Sequence, residues 1–216
     1  MYRLVIFDLD GTLLNTLGDL AAAGNHALQQ MGLPTHATEA YKLFVGNGIP
    51  NLIHRILPEE HTDEQHSRCY ELFNEYYNAH KTDLTAPYEG IAELVEMLSD
   101  KGIICCVNTN KAHEFAKELV HRFFGDSIKD VIGQGSGYAL KPSPEAVLEF
   151  CHRYDISKQN ALYIGDSNVD MKTAAAAGID ACGVLWGFRD KEELEGCGPR
   201  HIAEDASKLK AIITKE

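Results

Sequence analysis

An unbroken apolar run, Leu4, Val5, Ile6 and Phe7, ends in two carboxylates one residue apart, Asp8 and Asp10, with Gly11 directly after them. A strand with one wet face alternates apolar and polar residues. Four consecutive apolar residues stopped by a glycine turn instead describe a strand covered on both faces, the pattern of a parallel sheet interior. Two acids at the end of such a strand must be satisfied by something. Taken alone, the Asp-x-Asp pair is compatible with a structural pair, a metal site or a catalytic pair.

Four later segments repeat the short apolar run closed by a polar or glycine turn: IICCVNTNK from Ile103, VIGQGSG from Val131, ALYIGDSNVD from Ala161 and ACGVLWG from Ala181. Helical patterns lie between them, among them Ile91, Leu94, Val95 and Leu98, then Phe115, Leu119 and Val120, then Ala146, Val147 and Phe150. The alanine run 174–177 closes at Gly178, a helix stop. Strands alternating with helices predict an α/β fold with an open parallel sheet and helices on both faces. In such sheets ligands gather beyond the carboxyl ends of the strands, which puts Asp8, Asp10, Thr109, Asn110, Asp166 and Asp170 on one edge. From about Asn15 to Lys81 the alternation stops and only amphipathic helices are predicted, with faces at Leu17, Leu20, Ala21, Leu28 and Met31 and at Leu72, Phe73, Tyr76 and Tyr77. This is a helical insertion after the first strand, so the expected domains are 1–14 with 82–216, and 15–81.

The net charge of −12 over 216 residues, with no lysine or arginine run, argues against nucleic-acid and anionic-membrane partners. Six cysteines include no CxxC pair, and Cys105 and Cys106 on one strand would face opposite sides, so all six are expected to be reduced. No basic leader followed by a long apolar stretch opens the chain, and the expected location is cytoplasmic.

A second acid cluster narrows the options for Asp8 and Asp10. Asp166 follows another apolar strand, and Asp170 falls four residues later, in an expected first helical turn where acids suit the helix dipole. If that strand neighbours the first, three or four carboxylates converge, and they cannot all stay ionised without a cation. All-oxygen ligation favours Mg2+. Lys141 in ALKPSPE, ahead of a helix expected to start with Ser143 as N-cap and Pro144 in its first turn, can offset further negative charge. Thr109 and Asn110, expected just before a helix, offer a hydroxyl and backbone N–H groups to a phosphate.

DLDGTLLNT, the VNTNK turn, LKPSPE and GDSNVD, in that order, resemble the four motifs of the haloacid dehalogenase superfamily of phosphohydrolases, and the match runs over nearly the whole chain. The insertion resembles the small α-helical cap of the branch that holds phosphoglycolate phosphatases and β-phosphoglucomutases. FVGNGIPNLIHRIL and APYEGIAELVEML are most similar to the phosphoglycolate phosphatase side. The resemblance implies a Rossmann-like core and a Mg2+-dependent phosphatase acting on a small-molecule phosphate ester. It implies Asp8 as nucleophile and metal ligand, and Asp10 as general acid and base with its backbone carbonyl on the metal. Thr109 and Lys141 would hold the transferring phosphoryl group, while Asp166 and Asp170 would complete the metal site. Gly11, Thr12 and Asn110 are expected to bind phosphate, and in the cap the Gly46-Asn47-Gly48 turn and Arg55 are expected to meet the substrate, Arg55 through a carboxylate. Many relatives carry Asp-Ser where this chain has Asn15-Thr16, a departure expected to leave the chemistry intact. A phosphomutase, a pyrophosphatase or a nucleotide phosphatase fits the same motifs. A receiver-like signalling module uses similar residues in a different order and lacks the helical insertion.

Overall fold

The structure, a computed structural model, describes residues 1–215. Its elements in chain order are β1 (Leu4–Phe7), β2 (Leu14–Asn15), α1 (Leu17–Gln30), α2 (Tyr41–Phe44), α3 (Ile49–Ile56), α4 (Asp63–His80), β3 (Ala86–Pro87), α5 (Ile91–Asp100), β4 (Ile104–Ala112), α6 (His113–Phe124), β5 (Asp130–Gln134), α7 (Glu145–Arg153), β6 (Ala161–Gly165), α8 (Asn168–Ala177), β7 (Asp180–Val184), α9 (Lys191–Gly196), β8 (His201–Ala203) and α10 (Ala206–Thr214). The chain divides into two compact units, Met1–Leu14 with Pro87–Glu216, and Asn15–Ala86.

The first unit is built on a six-stranded sheet in the order β5-β4-β1-β6-β7-β8, with parallel pairing throughout. The run Leu4–Phe7 occupies a central place, and each of its residues is fully buried. Its side chains divide by parity. Val5 and Phe7 join one apolar cluster with Cys105, Val107, Leu162 and Ile164. Leu4 and Ile6 join another with Cys106, Ala161 and Tyr163. Two-sided burial is what an unbroken apolar strand requires, and it also sends Cys105 and Cys106 to opposite faces. All six cysteines are free thiols. β8, which extends the sheet edge, and the helices α9 and α10 carry no clear signal in the sequence; His201–Ala203 is three residues long and carries little pattern.

Register delivers the acids to one edge. Phe7 pairs with Val107 on one side and Ile164 on the other, so the residues that follow, Asp8, Asn108 and Gly165, emerge side by side. β4 does not end with Thr109 and Asn110 but runs on to Ala112, with a register shift between Asn108 and Ala112, and α6 begins only at His113. Thr109, Asn110 and Lys111 therefore lie in an irregular strand end rather than at a helix start. The helix after Lys141 also starts later than expected: Pro144 holds the N-cap position of α7, and the Ser143 hydroxyl accepts from the Glu145 N–H.

The second unit is helical. Leu20, Ala27 and Leu28 from α1, Ile53 and Ile56 from α3, and Cys69, Phe73 and Tyr77 from α4 are buried. Tyr76 is only half buried, its ring stacked between those of His26 and His80. A capping box between Thr62 and Gln65 starts α4. Buried Asp19 accepts from the Leu84 and Thr85 N–H groups, which fixes the segment after α4 against α1. Asn15 accepts from the Leu17 N–H at the start of α1. Among the described residues no helix is long and apolar enough to cross a membrane.

Replacing Phe7 by alanine removes a buried ring from the residue that leads into Asp8 and is expected to lower stability by about 3–5 kcal/mol. Urea denaturation followed by circular dichroism measures it, and a loss under about 1 kcal/mol would contradict a strand packed on both faces.

Candidate functional site

Asp8 is locked by its main chain before any side chain acts: its N–H donates to Ile164 O at 2.9 Å. Its Oδ1 accepts from the Leu9 N–H at 2.7 Å and lies 2.7 Å from Lys141 Nζ. The same ammonium is 2.7 Å from Asp170 Oδ1, so Lys141 bridges two acids from a position only 3% exposed. Asp170 sits at the third position of α8 and completes a capping box, its Oδ2 accepting from the Ser167 hydroxyl at 2.6 Å and the Ser167 N–H at 3.1 Å. Asp166, in the turn between β6 and α8, accepts from the Phe188 N–H at 2.7 Å and from the Thr12 hydroxyl at 3.4 Å.

Asp8, Asp166 and Asp170 are buried and offer carboxylate oxygens that all lie within 4.8 Å of one another. Among the described residues no other group of three His, Cys, Asp or Glu side chains converges this closely. An all-oxygen donor set of this kind suits a hard divalent cation. The electrostatics agree with that use. Burial, more than any other cause, pushes the Asp8 carboxyl up to about 7, with the Asp170 charge adding and Lys141 opposing. Burial followed by the charges of Asp170 and Asp8 pushes Asp166 up to about 8. Burial alone would lower the pKa of Lys141, but Asp170 and Asp8 outweigh it and hold the ammonium charged. One ammonium does not balance three buried carboxylates, and protons make up the difference.

Asp10 lies outside this trio. Its carboxylate pairs with a second lysine, Lys111, whose Nζ is 2.9 Å from Oδ1 and 3.2 Å from Oδ2. Thr109 Oγ1 accepts from the Lys111 N–H at 3.2 Å, which leaves the hydroxyl proton to donate elsewhere. Asn110, expected at the phosphate, has its side-chain amide on Lys141: Oδ1 accepts from the Lys141 N–H at 2.9 Å and Nδ2 donates to the Lys141 carbonyl at 3.3 Å. Its amide positions the lysine. Thr12 likewise turns its hydroxyl to Asp166. Gly11 has φ +85°, and a Cβ there would strike the Asp166 carboxylate; a Cβ at Gly187 would strike both Asp166 and the Gly11 carbonyl. Gly187, Phe188, Ser167 and Lys111 were not identified from sequence. Of these, Lys111 and Ser167 had a visible signal, as the last residue of VNTNK and the third of GDSNVD.

The residues expected in the cap lie in the helical unit. Gly46 and Asn47 form the turn between α2 and α3, where the Asn47 carbonyl accepts from Asn51 Nδ2 at 2.7 Å. Arg55, expected to meet a substrate carboxylate, donates from Nη1 to the carbonyls of Phe44 at 2.9 Å and Leu43 at 3.3 Å, closing the end of α2. Trp186 donates from Nε1 to the Thr12 carbonyl at 3.0 Å and packs on the core of the first unit.

The family model of the haloacid dehalogenase-like hydrolases matches residues 5–184, a span that holds every acid and lysine of this site. The chain belongs to the haloacid dehalogenase-like hydrolases. It is 32% identical to the phosphoglycolate phosphatase of Mannheimia succiniciproducens and 30% identical to that of Haemophilus influenzae, in each case over 98% of both chains. Among solved structures it is similar to a protein from Lactobacillus delbrueckii subsp. bulgaricus, with TM-score 0.92 and 32% identity over 98% of each chain. A predicted phosphoglycolate phosphatase from Haemophilus somnus gives TM-score 0.92 at 27% identity over 98% of this chain and 97% of that one.

Replacing Asn110 by alanine strips the buried Lys141 N–H of its acceptor and is expected to cost about 1–3 kcal/mol in urea denaturation; a neutral substitution would mean the amide does not hold the lysine. The raised acids also set a pH dependence. Asp8 and Asp166 keep their protons below about 7 and 8, so a cation must displace protons there and binds more weakly as pH falls. Mg2+ is expected to raise the melting temperature more at pH 8 than at pH 6. An equal rise at both would show that these acids do not compete with protons for the ion.

Proposed function

We propose that this phosphatase hydrolyses a small phosphate monoester, with 2-phosphoglycolate as its substrate, through a phosphoryl group carried transiently on Asp8 in a Mg2+-dependent reaction. The observation that carries the reading is Asp8 itself, an immobilised buried carboxylate 2.7 Å from Lys141 and within reach of Asp166 and Asp170. Its relatives from Mannheimia and Haemophilus support the choice of substrate.

A carboxylate approaching a phosphate dianion to about 4 Å meets roughly 4 kcal/mol of repulsion per charge at an effective dielectric near 20. Asp8 therefore needs positive charge around it. Asp8, Asp166 and Asp170, with the Asp10 main-chain carbonyl, would hold Mg2+, which when bound supplies charge against the phosphoryl oxygens. Lys141 supplies a second cation, and the Thr109 hydroxyl donates a hydrogen bond to the transferring group. An Asp8 oxygen attacks phosphorus, the ester P–O bond breaks, and Asp10 protonates the departing alcohol. Asp10 then removes a proton from water as that water attacks the aspartyl phosphate, and inorganic phosphate leaves with Asp8 restored. Asp10 suits an oxygen leaving group, which needs a proton, and this favours ester hydrolysis over dehalogenation. The helical unit Asn15–Ala86 is the proposed cap domain, selecting substrate and excluding water.

Asp8→Asn preserves shape but removes the nucleophile, and phosphate release is expected to fall by roughly ten-thousand-fold or more with the circular dichroism spectrum unchanged. Substantial turnover by a folded Asp8→Asn protein would remove Asp8 from that role.

A further inference from the structure

The phosphoryl chemistry proposed above uses Lys141 and gives no task to Lys111, the other buried lysine beside these acids. Lys111 has a side chain only 2% exposed, and it meets Asp10, which is 13% exposed, at 2.9 and 3.2 Å. Burying an ammonium is costly unless its partners are well placed. A hydrogen-bonding asparagine or glutamine at the end of β4 could steady Asp10 without a buried charge, so the charge itself calls for an account.

The two lysines divide the site. Lys141 stands among Asp8 and Asp170, where the phosphoryl group is transferred. Lys111 stands on Asp10, and under the proposed mechanism Asp10 is the acid that touches the leaving oxygen. Whatever is bonded to that oxygen therefore lies beside the Lys111 ammonium. We propose that Lys111 is a specificity-determining residue that selects leaving groups carrying an anionic group, a carboxylate one carbon from the ester oxygen being the class that fits. This inference rests on the phosphatase reading and extends it to the alcohol side of the substrate.

The chemistry of the contact supports that class. An ammonium serves several acceptors at once, so it can hold Asp10 and a substrate carboxylate together. A carboxylate separated from the ester oxygen by one carbon reaches the ammonium while the ester oxygen faces Asp10, so lysine, aspartate, ester oxygen and carboxylate close into one ring of contacts. Four acids, Asp8, Asp10, Asp166 and Asp170, would otherwise repel a substrate that brings another negative charge on its alcohol side. Lys111 removes that penalty on the leaving-group side. A neutral alcohol gains nothing from it.

The test compares 2-phosphoglycolate with 2-hydroxyethyl phosphate, which has the same carbon count and a hydroxymethyl group in place of the carboxylate. Wild-type protein with Mg2+ is expected to favour 2-phosphoglycolate by roughly 30-fold or more in kcat/KM. Lys111→Met is expected to collapse that preference to below about 3-fold through loss on 2-phosphoglycolate, and Lys111→Arg, which keeps the charge, to retain much of it. Binding of both esters to the Asp8→Asn protein, with and without Lys111→Met, is expected to show the same selectivity by calorimetry. Equal kcat/KM for the two esters in wild type overturns the assignment, even if Lys111→Met does not fold. So does an equal loss on both esters in Lys111→Met, which would make Lys111 a positioning residue for Asp10. Absence of Mg2+-dependent phosphate release from either ester or from p-nitrophenyl phosphate would instead overturn the phosphatase reading on which the inference stands.

Discussion

The structure turns on a charge imbalance at the end of one strand. β1 is buried on both faces, so its continuation delivers Asp8 to a place with little water, and the neighbouring strand brings Asp166 and, through the first turn of α8, Asp170 to the same point. Lys141 stands between two of these acids and offsets part of their charge. Burial raises the affinity of Asp8 and Asp166 for protons, because buried negative charge is costly without a compensating cation. In the proposed reaction the same imbalance would prepare Asp8 for attack on an anionic substrate, since charge that balances the acids would also serve the phosphoryl group.

Around that cluster the chain provides fixed donors rather than mobile ones. Asp8 is held by the Leu9 N–H, Asp166 by the Phe188 N–H and Asp170 by the two donors of Ser167. Asn110 grips the Lys141 backbone from both sides. Side chains held by main-chain groups lose little further freedom when substrate arrives, and catalysis by positioned charge depends on that. The glycines are part of the same design: Gly11 and Gly187 leave room for the Asp166 carboxylate where any Cβ would enter it.

Much of this was legible in the sequence, and the reasons are physical. An apolar run without alternation has one stable home in an α/β protein, so β1, β6 and the acids after them could be placed together before any coordinates. The helical insertion was visible as a loss of the strand rhythm. Roles that depend on which way a side chain turns were not legible. The side chains of Asn110 and Thr12 hydrogen-bond to the Lys141 backbone and the Asp166 carboxylate, contacts that their residue types do not announce. Arg55 was expected to meet a carboxylate, and its Nη1 also closes the end of α2. Phe188 acts through its backbone N–H, which no residue type advertises. The Lys111–Asp10 pair joins positions 101 residues apart, across a strand irregularity that propensity does not encode.

In the proposed reaction the phosphoryl group passes through Asp8. Acid quenching during turnover of 2-phosphoglycolate with Mg2+, followed by digestion and peptide mass spectrometry, tests it most directly, because acyl phosphates survive in acid. The account predicts one phosphate on the N-terminal peptide, localised to Asp8. Phosphate on a different side chain, or steady product formation with no phosphorylated peptide, would contradict it.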